Sequence, residues 1–139
     1  MARFPGCYTR MILGYGCLST RDPPGGLSRQ NVDSAIERVS RFRFVGELTS
    51  WHLSVCLFNK IITGYAHVAP EQLHNGRPTP DEQGNVSAQP NDYNTSEIPN
   101  DWADNAIYAF VQQRFRADLA RHSIHNLSDC PVDRARIES

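Results

Sequence analysis

Hydrophobic residues concentrate in two stretches of the chain, 32–69 and 102–127, and a polar segment rich in Pro and Asn separates them. In the first stretch, apolar residues recur every three or four positions after Asn31, which predicts a helix that this residue caps. The second stretch carries a single apolar stripe at helical spacing, which predicts a helix over residues 102–122. The stripe consists of Ile107, Phe110, Val111, Phe115 and Leu119.

Directly after the first helix, an apolar run predicts a short buried strand over Phe42–Val45. A second helix is expected over residues 50–63, with Thr49 or Ser50 as its cap and Gly64 as its end. A strand that leads straight into a helix is the building unit of an α/β sheet, so the predicted fold class is α/β. Apolar side chains lie on two sides of this helix, which predicts packing on both. They are Val55, Leu57, Phe58, Ile61 and Ile62.

The length of 139 residues predicts a single domain. The pattern divides it into an irregular segment 1–30, a helix–strand–helix unit 31–69, a polar loop 70–100, a helix 101–123 and a tail 124–139. The first residues lack the apolar core of a signal peptide, and no apolar run is long enough to span a membrane.

The net charge of −1 excludes the strong positive field that attracts nucleic acid or an anionic membrane. Thirteen of the fourteen basic residues are Arg, which favours bidentate contacts to sulfate, phosphate or carboxylate. A bias in genome composition explains the same skew equally well. Three sequons, at Asn85, Asn94 and Asn126, are candidate glycosylation sites in a luminal protein, although chance produces such sites too.

Four cysteines, an even number, suit a secreted fold with two disulfides, and they permit three connectivities. Cys7 and Cys17 bracket a short Gly-rich stretch, which favours their pairing. Cys56 and Cys130 then join the central helix to the tail. A buried free thiol is the alternative for Cys56. No C-x-x-C spacing is present, so we expect no zinc ribbon and no metal.

The residue pattern of the strand–helix unit resembles the late part of Golgi-type carbohydrate sulfotransferases, in the branch of the uronyl and heparan 2-O-sulfotransferases. The matching residues are Val45, Gly46, Trp51, Ser54, Val55, Leu57 and Phe58. A late helix of the family is matched at Asp101, Asp104, Ile107, Tyr108, Val111, Phe115, Asp118 and Leu119. Weaker matches occur at Cys7–Cys17 and at Ala35, Glu37 and Arg38. The family's Thr-Glu pair is absent here, because Glu47 and Leu48 stand in shifted positions.

The resemblance implies the C-terminal portion of a P-loop-type three-layer fold, with one or two short strands, three helices and a long irregular loop. It places 42–58 beside 101–119, with Val45 in a sheet. It also implies a membrane-anchored Golgi glycoprotein, and transfer of a sulfuryl group from 3′-phosphoadenylyl sulfate to a hydroxyl of a glycan or a small hydroxylated acceptor. Lys60 follows no Gly-rich turn, so the donor-binding loop is missing and we expect the isolated chain to be inactive.

His74, Arg77 and Thr79 correspond by resemblance to the family's donor lid, and they are the candidate donor-binding residues. An exposed polar loop without a ligand is the alternative. No catalytic residue can be assigned. The alternative function is a non-catalytic, luminal, disulfide-linked binding or interaction domain.

Two further clusters have simpler explanations. Asp101 and Asp104 have the spacing of paired carboxylates, but helix capping accounts for them better than catalysis. His122 and His125 lie near potential metal ligands, and a polar cluster at a helix end is the favoured interpretation.

Overall fold

The computed structural model describes residues 5–17, 23, 26–73 and 100–133, and these residues are mostly helical. The α-helices are α1 (Cys7–Ile12), α2 (Arg29–Ser40), α3 (Trp51–Thr63) and α4 (Trp102–Arg121). Short 3-10 helices cover Leu48–Ser50, Pro70–Leu73 and Leu127–Asp129. The boundaries predicted for α3 and α4 are confirmed to within one residue.

The predicted α/β fold class is wrong for this chain, because the described residues contain no sheet. The segment Phe42–Val45 has no regular structure, so Val45 lies outside any sheet. The only pairing among the described residues is an isolated parallel bridge between Val68 and Val132. A strand needs a neighbour that completes its hydrogen-bonded ladder, and an apolar sequence alone does not supply one. The three-layer P-loop arrangement is therefore not built by this part of the chain.

The helix ends follow local chemistry. Ser28, rather than Asn31, caps α2: its side chain accepts a hydrogen bond from the Asn31 backbone N–H, and the Asn31 side-chain oxygen accepts one from the Ser28 backbone N–H. Gly64 ends α3 as predicted, with a left-handed φ of 88° that glycine adopts without strain. Ser50 occupies the cap position of α3 without a side-chain hydrogen bond.

Asp101 and Asp104 act as helix caps, as the sequence favoured, and they also hold α1 against α4. Asp101 accepts from the Asp104 backbone at 3.0 Å and from the Gly6 backbone at 2.8 Å. Asp104 accepts from the backbones of Tyr8 and Thr9, both at 2.9 Å. The carboxylate thereby satisfies free N–H groups in the first turn of α1, a helix within the region predicted to be irregular.

Two apolar clusters make up the core, and α4 contributes to both. The first lies between α1, α2 and α4 and is centred on Val32, Ala35, Ala103 and Ile107. The second lies between α3, α4 and the segment after α4, and it contains Cys56, Leu57, Val68, Phe115, Ile124 and Cys130. The predicted proximity of 42–58 and 101–119 is thus confirmed, although the two segments meet without a sheet.

Both expected disulfides, Cys7–Cys17 and Cys56–Cys130, are present. The free-thiol alternative for Cys56 is therefore wrong. The second bridge lies in the core and ties α3 to the segment after α4.

Candidate functional site

An aromatic cleft of about 630 Å³ lies between the segment before α3, the outer side of α3 and the 3-10 helix Pro70–Leu73. Its principal lining side chains are Phe44, Leu48, Trp51, Val55, Phe58 and Glu71. The cleft exists because only one side of α3 is covered by the described residues. Leu57 is buried on the covered side, whereas Phe58 and Ile62 are 42% and 53% exposed. The predicted packing on both sides of α3 is confirmed only in part, since Val55 and Ile61 pack against the core while Phe58 and Ile62 stay exposed.

The indole of Trp51 is fixed in the wall of this cleft. Its Nε1 donates to the backbone oxygen of Gln72 at 2.7 Å. The Gln72 side chain accepts in turn from the Asn59 amide at 2.8 Å and from the Ala69 backbone at 3.0 Å. Since Asn59 is buried on α3, this network joins the 3-10 helix to α3 and holds the ring in place.

The opposite wall is held by a close backbone approach. Ser54, 5% exposed, accepts from the Glu47 backbone N–H and donates to the Glu47 carbonyl, both at 2.8 Å. A Cβ on Gly46 would come within 2.8 Å of the Phe44 ring and 3.1 Å of the Ser54 Cβ. Gly46 and Ser54, two residues of the family-like pattern, therefore serve local packing here. The Phe44 ring meets Phe58 edge to face at 5.4 Å.

A second depression of about 510 Å³, the tyrosine groove, lies on the other side of the same segment. It is lined by Tyr8, Phe42, Val45, Leu48 and Tyr108 among others. Each of these except Val45 is an exposed large apolar side chain. The segment 44–48 thus forms a ridge between two apolar depressions.

Glu47 is the charged residue on this ridge. Its Oε1 accepts from Tyr108 Oη at 2.9 Å and from Gln112 Nε2 at 3.0 Å. The Gln112 hydrogen bond, and then that of Tyr108, lower the pKa of Glu47 below its usual range, because both donors stabilise the carboxylate. Glu47 is therefore an anion at neutral pH.

The charge of the aromatic cleft is acidic. Glu47 and Glu71 line it, and no Lys or Arg does so among the lining residues that the structure describes. Anion recognition requires guanidinium or ammonium groups, or backbone N–H groups at a helix start. The described lining therefore offers no cationic partner for a sulfate or phosphate.

Several predicted site residues lie outside the described residues: His74, Arg77, Thr79, Asn85 and Asn94. Their assignment stays a prediction. Asn126, the third sequon, is exposed, and its side-chain oxygen accepts from the Ser128 backbone at 2.8 Å.

No cluster of three potential metal ligands occurs in the described ranges. Near the C-terminal end of α4, Cys130 is bound in a disulfide. Asp129 accepts from the backbones of His125 and Asn126, at 2.7 and 3.1 Å, and these bonds lower its pKa.

The sequence pattern does not predict the cleft. Gly46, Trp51 and Ser54 stand out in it only through their match to a family pattern. The relevant signal is the apolar character of both sides of α3, which predicts burial. An exposed apolar face gives the same pattern as a buried one.

No protein-family model, no curated protein and no solved structure matches this chain. Within the described residues, no helix combines the length and apolar character that crossing a membrane requires.

Proposed function

We propose that this chain is a non-catalytic, disulfide-stabilised binding domain, and that its aromatic cleft takes an uncharged hydroxylated ligand such as a neutral glycan. The observation that carries the proposal is a cleft with a fixed Trp51 ring, a Phe44–Phe58 pair and the carboxylate of Glu71, and with no Lys or Arg among its described lining residues. This is the alternative function that the sequence left open.

The size and chemistry of the cleft fit this ligand class. Small-molecule sites are concave, mostly apolar and about 300–1,000 Å³ in volume, with a few polar groups that fix orientation. A sugar ring presents apolar C–H faces that lose water against aromatic rings. Its hydroxyl groups donate hydrogen bonds, and a carboxylate such as Glu71 only accepts them.

Sulfuryl transfer remains a prediction from the family resemblance. The donor is a polyanion, so its site needs a cationic cradle. The described lining of the aromatic cleft holds no Lys or Arg, and the residues assigned to a donor lid lie outside the described part of the chain. An oxidising compartment such as the Golgi lumen is part of the proposal, supported by the two disulfides.

Fluorescence titration tests the proposal, because the chain has only two tryptophans. In Trp102→Phe, Trp51 is the remaining indole and reports directly on the cleft. We expect neutral oligosaccharides from a glycan panel to shift its emission saturably, and sulfated versions of the same sugars to bind at least about tenfold more weakly, which corresponds to about 1.4 kcal/mol. Trp51→Ala is expected to abolish binding in calorimetry, whereas Trp102→Ala, 40% exposed and outside the cleft lining, should preserve it.

Two results would overturn the proposal. One is the absence of binding to every neutral glycan of the panel. The other is turnover by the purified chain with 3′-phosphoadenylyl sulfate, which would restore the transferase prediction.

Binding in the cleft should also weaken in acid. The pKa of Glu47 in the folded chain is lowered from its usual value of 4.5. The stabilisation that its carboxylate gives to the ridge is therefore fully present above pH 4.5, and it is lost as the pH falls through the folded-state pKa. Protonation weakens its acceptor role towards Gln112 and Tyr108, which loosens the ridge that forms one wall. We expect the affinity of the cleft for its glycan, measured by calorimetry, to fall as the pH is lowered below 4.5. A Glu47→Gln variant should lack this part of the pH dependence, and an identical pH profile in both proteins would contradict the prediction.

A further inference from the structure

Within the part of the chain that the structure describes, no backbone N–H or C=O of residues 43–46 makes a hydrogen bond. Both ends of the segment are held, since the Phe42 carbonyl accepts from Arg114 and Glu47 bonds to Ser54. The backbone of Glu47 is extended, with φ −119° and ψ 127°. Phe44 lines the aromatic cleft, whereas Phe42 and Val45 line the tyrosine groove.

We propose that this segment pairs with the same segment of a second copy of the chain, as an antiparallel two-stranded ladder centred on Val45. A run of unpaired backbone N–H and C=O groups is a template for an incoming strand, and a two-fold axis makes the contact self-complementary. The proposal does not depend on what the aromatic cleft binds.

The register follows from which backbone groups are free. Centring on Val45 places Phe44 opposite Gly46 of the second copy, and this pair exchanges two N–H to C=O bonds on each side of the axis. Val45 then faces its own counterpart in a non-hydrogen-bonded pair. Arg43 and Glu47 also form a non-hydrogen-bonded pair, so the bonds between Glu47 and Ser54 are retained.

The side chains agree with this register. Arg43 lies opposite the second copy's Glu47, and non-hydrogen-bonded pairs bring their side chains closest. One step further out, the N–H of Phe42 already donates to Val39 and its carbonyl accepts from Arg114, so the ladder ends at the Arg43–Glu47 pairs. A second copy therefore offers opposite charge at both ends of the ladder.

Charge variants test the pairing by sedimentation equilibrium over a range of protein concentrations. We expect the unaltered chain to form a dimer. Arg43→Glu, which places two Glu residues opposite each other at both ends, should raise the dimer dissociation constant about tenfold or more. Arg29→Glu makes the same charge change at an exposed position in the first turn of α2 and should have no such effect. Glu47→Arg should also dissociate the dimer, and mixing it with Arg43→Glu should restore association as a heterodimer.

Amide hydrogen exchange gives a second readout that needs no variant. We expect the amides of Phe44 and Gly46 to become protected as concentration rises, while the amide of Val45 stays unprotected. A chain that remains monomeric up to millimolar concentration overturns the proposal. A dimer whose dissociation constant is unchanged by Arg43→Glu overturns it as well. Protection of these amides in a monomer would show that another segment of the same chain occupies the edge, and it would overturn the proposal too.

Discussion

Replacing Cys56 and Cys130 together by Ala is expected to lower the free energy of unfolding by about 4 kcal/mol. The bridge closes a loop with a sequence separation of 74 residues, and the chain-entropy relation gives about 4.5 kcal/mol for a loop of this size. Both residues are also buried, at 0% and 1% exposure, in the cluster that joins α3 to the segment after α4. Chemical denaturation followed by circular dichroism measures the change.

The matched control is the pair Cys7→Ala and Cys17→Ala. That bridge spans only 10 residues, so the same relation gives about 3 kcal/mol. We therefore expect removal of the Cys56–Cys130 bridge to lower the free energy of unfolding more than removal of the Cys7–Cys17 bridge. Equal losses, or a larger loss for the short bridge, would show that loop entropy does not determine the stability of this protein.

Arg114→Ala is expected to lower the free energy of unfolding by about 3 kcal/mol, because it removes one partner of a largely buried charge pair. Arg114 Nε donates to Asp118 at 3.2 Å, and the side chains are only 18% and 6% exposed. The same guanidinium donates to the carbonyls of Val39 and Ser40 at 2.7 and 2.8 Å, and to that of Phe42. It therefore ties the end of α2, and the backbone of Phe42 just before the ridge, to α4.

The contrast with Arg121 makes this prediction specific. Arg121 also lies near Asp118, at 3.4 Å, but its side chain is 74% exposed. Solvent screens such a pair, so Arg121→Ala should cost less than about 1 kcal/mol. Arg114→Lys keeps the charge but loses the planar guanidinium with its several donors. Its loss in free energy of unfolding should therefore lie between those of Arg114→Ala and Arg121→Ala. A small effect of Arg114→Ala in thermal and denaturant unfolding would contradict the role of this residue as a clamp.

Part of the candidate site could be anticipated from residue types. Gly46 and Ser54 stood out in the sequence, and the structure gives them a physical reason: close ring packing at one and a paired backbone hydrogen bond at the other. Glu47 was noted only as a departure from the family pattern. Its fixed carboxylate depends on Tyr108 and Gln112, which follow it by 61 and 65 positions, and no local pattern encodes that meeting.

The ends of α3 and α4 and the favoured disulfide pairing are confirmed, whereas the cap of α2 was predicted three residues too late and α1 was not predicted. Spacing of apolar residues placed α4, and Gly64 marked the end of α3, because helical hydrogen bonds and their termination involve near neighbours along the chain. The even cysteine count and the spacing of Cys7 and Cys17 favoured the connectivity that is present.

Tertiary structure alone decided whether Phe42–Val45 is a strand and which side of α3 is buried. A strand requires hydrogen bonds from a partner that lies elsewhere in the chain or in another molecule, so β-propensity cannot guarantee one. The apolar residues on both sides of α3 indicate only which surfaces of the helix other elements can bury. Which side is covered depends on the elements that pack against it, and here these are the segments that carry Val68, Phe115 and Cys130.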